Sequence, residues 1–159
     1  MKKLNIEEFY ATPRYWYHVS TTLHARTYKL KPRSEGCNRS GFEPIDKRIC
    51  VSPTLEQCIT ALPYFSCEHT TFFIYKTRYK LKAKSPVDIF DSSVTQEGWI
   101  IRPVIFDLVG KLKFDNIVNN RGKSVRIKQE AASVGYSYES RKLHQWWVKI
   151  NPWKFVTKI

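Results

Sequence analysis

Acidic side chains are scarce in this chain: 14 Asp and Glu stand against 27 Lys and Arg, giving a formal net charge of +13 at pH 7. That balance favours anionic partners, namely a nucleotide, a nucleic acid or an acidic protein. Long apolar runs are missing as well. No window approaches ~18 uninterrupted apolar residues, so no membrane span is expected. The opening MKKLNIEEFYATPRYW has lysines but no apolar stretch behind them, and Glu7 and Glu8 interrupt it, which argues against a secretory signal. Paired cysteines are absent too. Cys37, Cys50, Cys58 and Cys67 stand 13, 8 and 9 residues apart, with no C-x-x-C spacing. Cys50 and Cys58 lie in apolar runs and read as small core residues. Cys37 and Cys67 with His69 are the remaining metal option; no metal is expected, and a reduced, cytoplasmic protein is. There is no glycine-rich phosphate loop, no H-E-x-x-H, no G-x-S-x-G, no helix-turn-helix signal and no internal repeat.

What is present is core-forming material. The 159 residues are 42% hydrophobic and 14% aromatic, which fits one globular domain and argues against disorder. The positive charge is uneven: residues 1–110 carry 16 basic and 11 acidic side chains, and residues 111–159 carry 11 and 3. The expected organisation is therefore a core over residues 1–110 and a basic, aromatic C-terminal extension, 111–159, packed on the same domain.

YWYHVS (15–20) alternates as a strand, with Tyr15, Tyr17 and Val19 on one face and Trp16, His18 and Ser20 on the other. A short helical turn is expected around residues 6–10. TTLHARTYKLKPR (21–33) reads as a helical turn or loop closing at Pro32, and residues 34–47 as a long exposed loop. RICVS (48–52) is a short strand. SPTLEQCITALPYF after it carries concordant helix signals: Ser52 as cap, Pro53 at the first helical position, and Glu56 in the first turns. Leu55, Cys58, Ile59 and Leu62 make one apolar face, and Pro63 ends the element. HTTFFIYKTRYKL (69–81) reads as a strand, and residues 97–114 as one or two strands broken at Pro103 with a turn at Gly110. A short helix is expected around residues 142–148, although Trp146, Val148 and Ile150 also alternate as a half-buried strand would. The fold class is α+β, a small mixed or antiparallel sheet with few helices.

Three segments in order carry the chemistry: YHVS at 17–20, ICVSPTLEQCITAL at 49–62 and QEGWII at 96–101. Together they resemble the ADP-ribosyltransferase-like fold, which also includes the RNA 2'-phosphotransferases. Members of its His-Tyr-Glu group have a Tyr-His pair followed by a small hydroxyl residue in the first core strand. A second strand has a Tyr or Ser before a helix, and a glutamate opens a late strand. The resemblance covers roughly residues 15–110. It implies a site of His18, Ser52 and Glu97, with Ser52 where many members have Tyr, and NAD as cofactor. Breaking a nicotinamide–ribose bond passes through an oxocarbenium-like state, so Glu97 would hold a ribose hydroxyl and face the developing charge. His18, Ser52 and Ser20 would orient the nucleotide, and Arg33, Arg48 and Arg102 would meet the pyrophosphate. Small, basic, stand-alone proteins of this kind resemble phage or mobile-element products. Each residue also has a plain structural reading: His18 packed in an aromatic strand, Ser52 as a helix cap, Glu97 as a solvated carboxylate.

A second constellation is RKLHQWWVKINPWKF (141–155), where three Trp and one Phe are interleaved with Arg141, Lys142, Lys149 and Lys154. Trp146 and Trp147 with Arg141, Lys142 and Lys149 have the makings of a nucleic-acid or other anion site, aromatic faces on bases and cations on phosphates. The competing reading packs the tryptophans on the core and leaves the lysines wet. The expected function is NAD-dependent ADP-ribosyl transfer or nucleotide binding; the alternative is a non-enzymatic basic protein that binds nucleic acid or an acidic protein.

Overall fold

A computed structural model describes residues 6–32, 47–61, 71–86, 95–113, 141, 144–145, 147–149 and 151–159. Leu62, Pro63, Cys37, Cys67, His69, Arg33, Lys142 and Trp146 lie outside the described residues. The chain begins with α1 (Ile6–Ala11) and continues through β1 (Tyr17–Ser20), β2 (Thr27–Leu30), β3 (Ile49–Val51) and α2 (Leu55–Thr60). It proceeds through β4 (Thr71–Thr77), β5 (Gly98–Ile100) and β6 (Val104–Lys113), then a 3-10 turn at Pro152–Phe155 and β7 (Val156–Lys158). Every strand pair is antiparallel. The protein is α+β, mostly strand.

The larger sheet runs β1-β4-β6-β2, and β7 pairs with β6 as well. β2 faces Val104 to Asp107 of β6 while β7 faces Gly110 to Leu112, so the two short strands share one edge of the longest strand in tandem. β3 and β5 form a second, two-stranded sheet. It joins the first through one rung: Tyr17 N–H donates to Ser52 O at 2.8 Å, and Ser52 N–H donates to Tyr17 O at 3.0 Å.

Each face of the larger sheet carries its own core. One contains Val19, Phe72, Ile74 and Leu112 under Leu55, Cys58 and Ile59 of α2, with Trp147. The other contains Trp16, Tyr75 and Phe106 with Ile49, Val51 and Ile100, closed by Tyr10 of α1. The alternation in 15–20 produces this division directly: Val19 goes to the first core and Trp16 to the second. Among the described residues no helix is long and apolar enough to cross a membrane.

Three local expectations are corrected. The cap of α2 is Thr54, whose side chain accepts from Gln57 N–H at 3.1 Å, and not Ser52. Both backbone groups of Ser52 are spent on Tyr17, which holds it extended, so the helix starts only after Pro53. Residues 27–30 form β2 instead of a turn or loop. Its alternation is short, with only Tyr28 and Leu30 turned to the core between exposed Thr27 and Lys29, which is too few residues to stand out beside the preceding turn-like stretch. Gly110 lies inside β6 and is not a turn. The short helix expected around 142–148 is seen at the described residues, where His144, Gln145, Trp147, Val148 and Lys149 are helical.

Gly110 has a steric reason. A Cβ there would stand 2.5 Å from Val156 Cγ1 and 3.0 Å from the Thr157 carbonyl oxygen, because the neighbouring strand β7 lies close alongside it. Gly110→Val is expected to cost about 1–3 kcal/mol through overpacking. Urea denaturation of the two proteins checks this; a difference below about 0.5 kcal/mol, ordinary for surface changes, would contradict the close β6–β7 approach.

Candidate functional site

The strands that carry Glu97, Ser52 and His18 lie side by side in the order β5, β3, β1. The hydrogen-bond alternation of antiparallel strands fixes what happens between them. Trp99 turns its N–H and C=O outward to Lys84, at 2.9 and 2.8 Å. Its cross-strand partner Cys50 therefore turns its own carbonyl the other way, toward β1. A regular ladder from the Tyr17–Ser52 rung would give that carbonyl to the Val19 N–H. Instead His18 takes it, with Nδ1 at 2.9 Å from Cys50 O. A carbonyl only accepts, so Nδ1 carries the proton. β1 and β3 thus pair once and then part, and the imidazole stands in the parting, its ring 5.8 Å from that of Phe106.

On the other side of β3, Glu97 precedes β5 at a kinked backbone, with Gln96 at φ 49°. Its carboxylate accepts from Trp99 Nε1 at 3.3 Å, and its carbonyl accepts from the Tyr10 hydroxyl at 2.6 Å. Burial, and secondarily the charge of Glu97, pushes the Tyr10 phenol up to about 12, so it stays a donor throughout the physiological range. Gly98 lets this corner close: a Cβ at 98 would lie 2.8 Å from Ala83 Cβ and 3.2 Å from the Trp16 ring. The Arg48 guanidinium sits 4.1 Å from the centre of the Trp99 ring, a cation on an aromatic face.

The expected site residues fare differently. His18 and Glu97 are both half-buried, and Arg102 is exposed between β5 and β6. Ser52 is 1% exposed and shares the face of its partner Tyr17, opposite to that of His18. The β3 residues on the face of His18 are Ile49 and Val51, both apolar and buried. Arg48 is also 1% exposed, so it does not offer its fork to a pyrophosphate at the surface; it packs inside against Trp99. Ser20 spends its hydroxyl locally, donating to Thr22 O and accepting from Thr22 N–H, both at 3.0 Å. In the C-terminal constellation, Arg141 and Lys149 are exposed. Trp147 is 1% exposed inside the first core and has no face to give to a base. His144 is half-buried, and burial lowers its pKa against a smaller opposing effect of Glu56.

Reasoning from sequence missed Trp99, Tyr10 and Cys50. Trp99 was visible as a tryptophan two residues after Glu97, on the same strand face. The Cys50 carbonyl left no signal, because backbone acceptors are not written in side chains. Among the described residues no group of three His, Cys, Asp or Glu side chains is arranged to hold a metal ion. Comparison with protein-family models, with curated proteins and with solved structures finds no match to this chain.

Proposed function

We propose that this chain is an ADP-ribosyltransferase-like protein that binds NAD where β5, β3 and β1 meet, and transfers or cleaves its ADP-ribose. The observation that supports the reading is adjacency. Residues 18, 52 and 97, far apart in sequence, stand on or directly beside three neighbouring strands. Bound NAD supplies a nicotinamide–ribose bond whose breaking leaves positive charge on the ribose. Glu97 is the carboxylate that holds a ribose hydroxyl and faces that charge. The donor set fits in part: a carboxylate has room for several hydrogen bonds, of which Trp99 Nε1 takes one. His18, with its ring fixed by the Cys50 carbonyl, lies on the strand face opposite to Glu97 and Ser52 and reaches the nucleotide through the parting of β1 and β3. Ser52 is a positioning residue, holding β3 against β1 through its backbone. Arg102 is the exposed cation for phosphate, since Arg48 is internal.

The test is calorimetry with NAD together with measurement of released nicotinamide, for wild type, His18→Ala and Glu97→Gln. Wild type is expected to bind NAD below about 1 mM, the upper end of ordinary KM values. Glu97→Gln should lower nicotinamide release about 10²–10³-fold with binding largely kept, because it removes charge stabilisation and not shape. His18→Ala should weaken binding itself. Absence of both heat and nicotinamide at millimolar NAD would sink the proposal. Binding without release would reduce it to a nucleotide-binding protein of the same architecture.

A further inference from the structure

Residues 76–84, KTRYKLKAK, carry a cation at every second position: Lys76, Arg78, Lys80, Lys82 and Lys84. The segment leaves β4 at Thr77, bends at residues 78–79, and then runs extended, with Leu81 bridged to Arg14 and Lys84 to Trp99. Thr77 and Leu81 are buried between the cations, so the backbone is anchored while the charged chains stay outside. Lys80, Lys82 and Lys84 are all exposed. Alternate residues of an extended chain lie roughly 6.5–7 Å apart, a repeat that suits successive phosphates of a stretched single strand.

Only one of these charges is matched by an acid among the described residues. Arg78 grips Asp107 with two hydrogen bonds, Nη2 to Oδ1 at 2.8 Å and Nε to Oδ2 at 3.1 Å. That grip holds the Asp107 carboxyl below its ordinary range. It also fixes the bend that presents Tyr79, which is 66% exposed. Tyr15, 39% exposed, lies beside the same track with Lys76 Nζ 4.5 Å and Lys80 Nζ 5.7 Å from its ring centre. Two exposed aromatic rings within a row of unmatched cations are what unpaired bases and phosphates need together. A duplex hides its base faces, whereas a single strand offers both its bases and its phosphates.

We propose that Lys76 to Lys84, with Tyr15 and Tyr79, form a binding track for single-stranded nucleic acid, independent of the NAD reading. The lysines take phosphates, and Tyr79 and Tyr15 stack on bases. The experiment measures fluorescence anisotropy of labelled oligothymidylate and oligouridylate of about 12 nucleotides, a length within the usual single-strand site size. Titrations run from about 50 to 200 mM salt, where phosphate contacts show their linear log–log dependence. Lys80→Ala/Lys82→Ala/Lys84→Ala should lower affinity at least tenfold and reduce the salt slope by about 2, at about 0.7 per single-strand phosphate contact. Tyr79→Ala should weaken binding roughly 5–150-fold with the slope unchanged, as loss of stacking without loss of charge. Lys113→Ala/Lys158→Ala removes exposed charge at the other end of the sheet, opposite Thr71 and Gly110, and should change little. The proposal is overturned by no binding at low salt, or by equal losses from the Lys113/Lys158 pair. Equal affinity for a blunt duplex or for polyglutamate would also overturn it, by reducing the track to a general polyanion surface. All of the substituted side chains are exposed, so matching circular dichroism spectra suffice to show that the variants are folded.

Discussion

Replacing Trp16 with Ala is expected to remove about 3–5 kcal/mol of stability, the usual cost of emptying a core tryptophan site. In a domain of this length that lowers the melting temperature by roughly 6–20 °C, at about 2–4 °C per kcal/mol. The effect stands at the high end because Trp16 holds several elements at once. It is fully buried, and its Nε1 donates to Leu81 O at 2.8 Å. Its ring stacks on Tyr10 of α1 at 6.2 Å with only 6° between planes, and receives the edge of Phe9 at 6.1 Å. Gly98 of β5 closes against the same ring. Truncation therefore opens a cavity where α1, β1 and β5 meet and leaves the Leu81 carbonyl with one donor, the Arg14 N–H at 3.1 Å, instead of two. The consequence reaches the site, since Tyr10 supports the Glu97 carbonyl and Gly98 follows Glu97. Thermal unfolding followed by circular dichroism is the measurement. A loss below about 1 kcal/mol, the centre of the distribution for point mutants, would mean that this layer is not packed as described.

Trp147→Ala is expected to cost a similar amount, about 3–5 kcal/mol. Trp147 is 1% exposed among Val19, Leu55, Cys58, Ile59, Phe72, Ile74 and Leu112, and so ties the C-terminal helical residues to α2 and the sheet. The same substitution separates the two readings of the basic aromatic C-terminal segment. A core tryptophan lowers the melting temperature and leaves nucleic-acid affinity of the folded protein unchanged. A stacking platform does the reverse, weakening affinity by the roughly 1–3 kcal/mol that one base stack contributes while sparing stability. Denaturation and anisotropy on the same sample decide it, and the burial of Trp147 predicts the first result.

Much of the candidate site could be read from the chain, but in terms of strands more than side chains. His18 was legible because YWYHVS alternates cleanly, and Glu97 because a strand starts just after it. The roles of Ser52 and Arg48 were not legible. A serine before a proline and an apolar helix looks like a cap, yet Ser52 gives both backbone groups to Tyr17, a partner 35 positions earlier in the chain. An arginine before an apolar strand looks wet, yet Arg48 packs on Trp99, which lies beyond α2 and β4 in the chain order.

The sequence by itself determined the elements whose signal is local. The spacing of Leu55, Cys58 and Ile59 makes α2 amphipathic, aromatic and β-branched residues make β4 a strand, and Pro103 separates β5 from β6 because it cannot donate to a ladder. Tertiary structure alone decided the rest. β2 and β7 exist because β6 is long enough to offer two docking stretches on one edge, although β2 contributes only Tyr28 and Leu30 to the core and β7 only Val156. Trp147 is core because α2 and three strands, β1, β4 and β6, converge on it, and His18 bonds to Cys50 because β1 and β3 part after a single rung. Periodicity along a chain says which face of an element prefers to be dry. Which distant backbone group or ring will meet that face is set only when the strands are laid side by side.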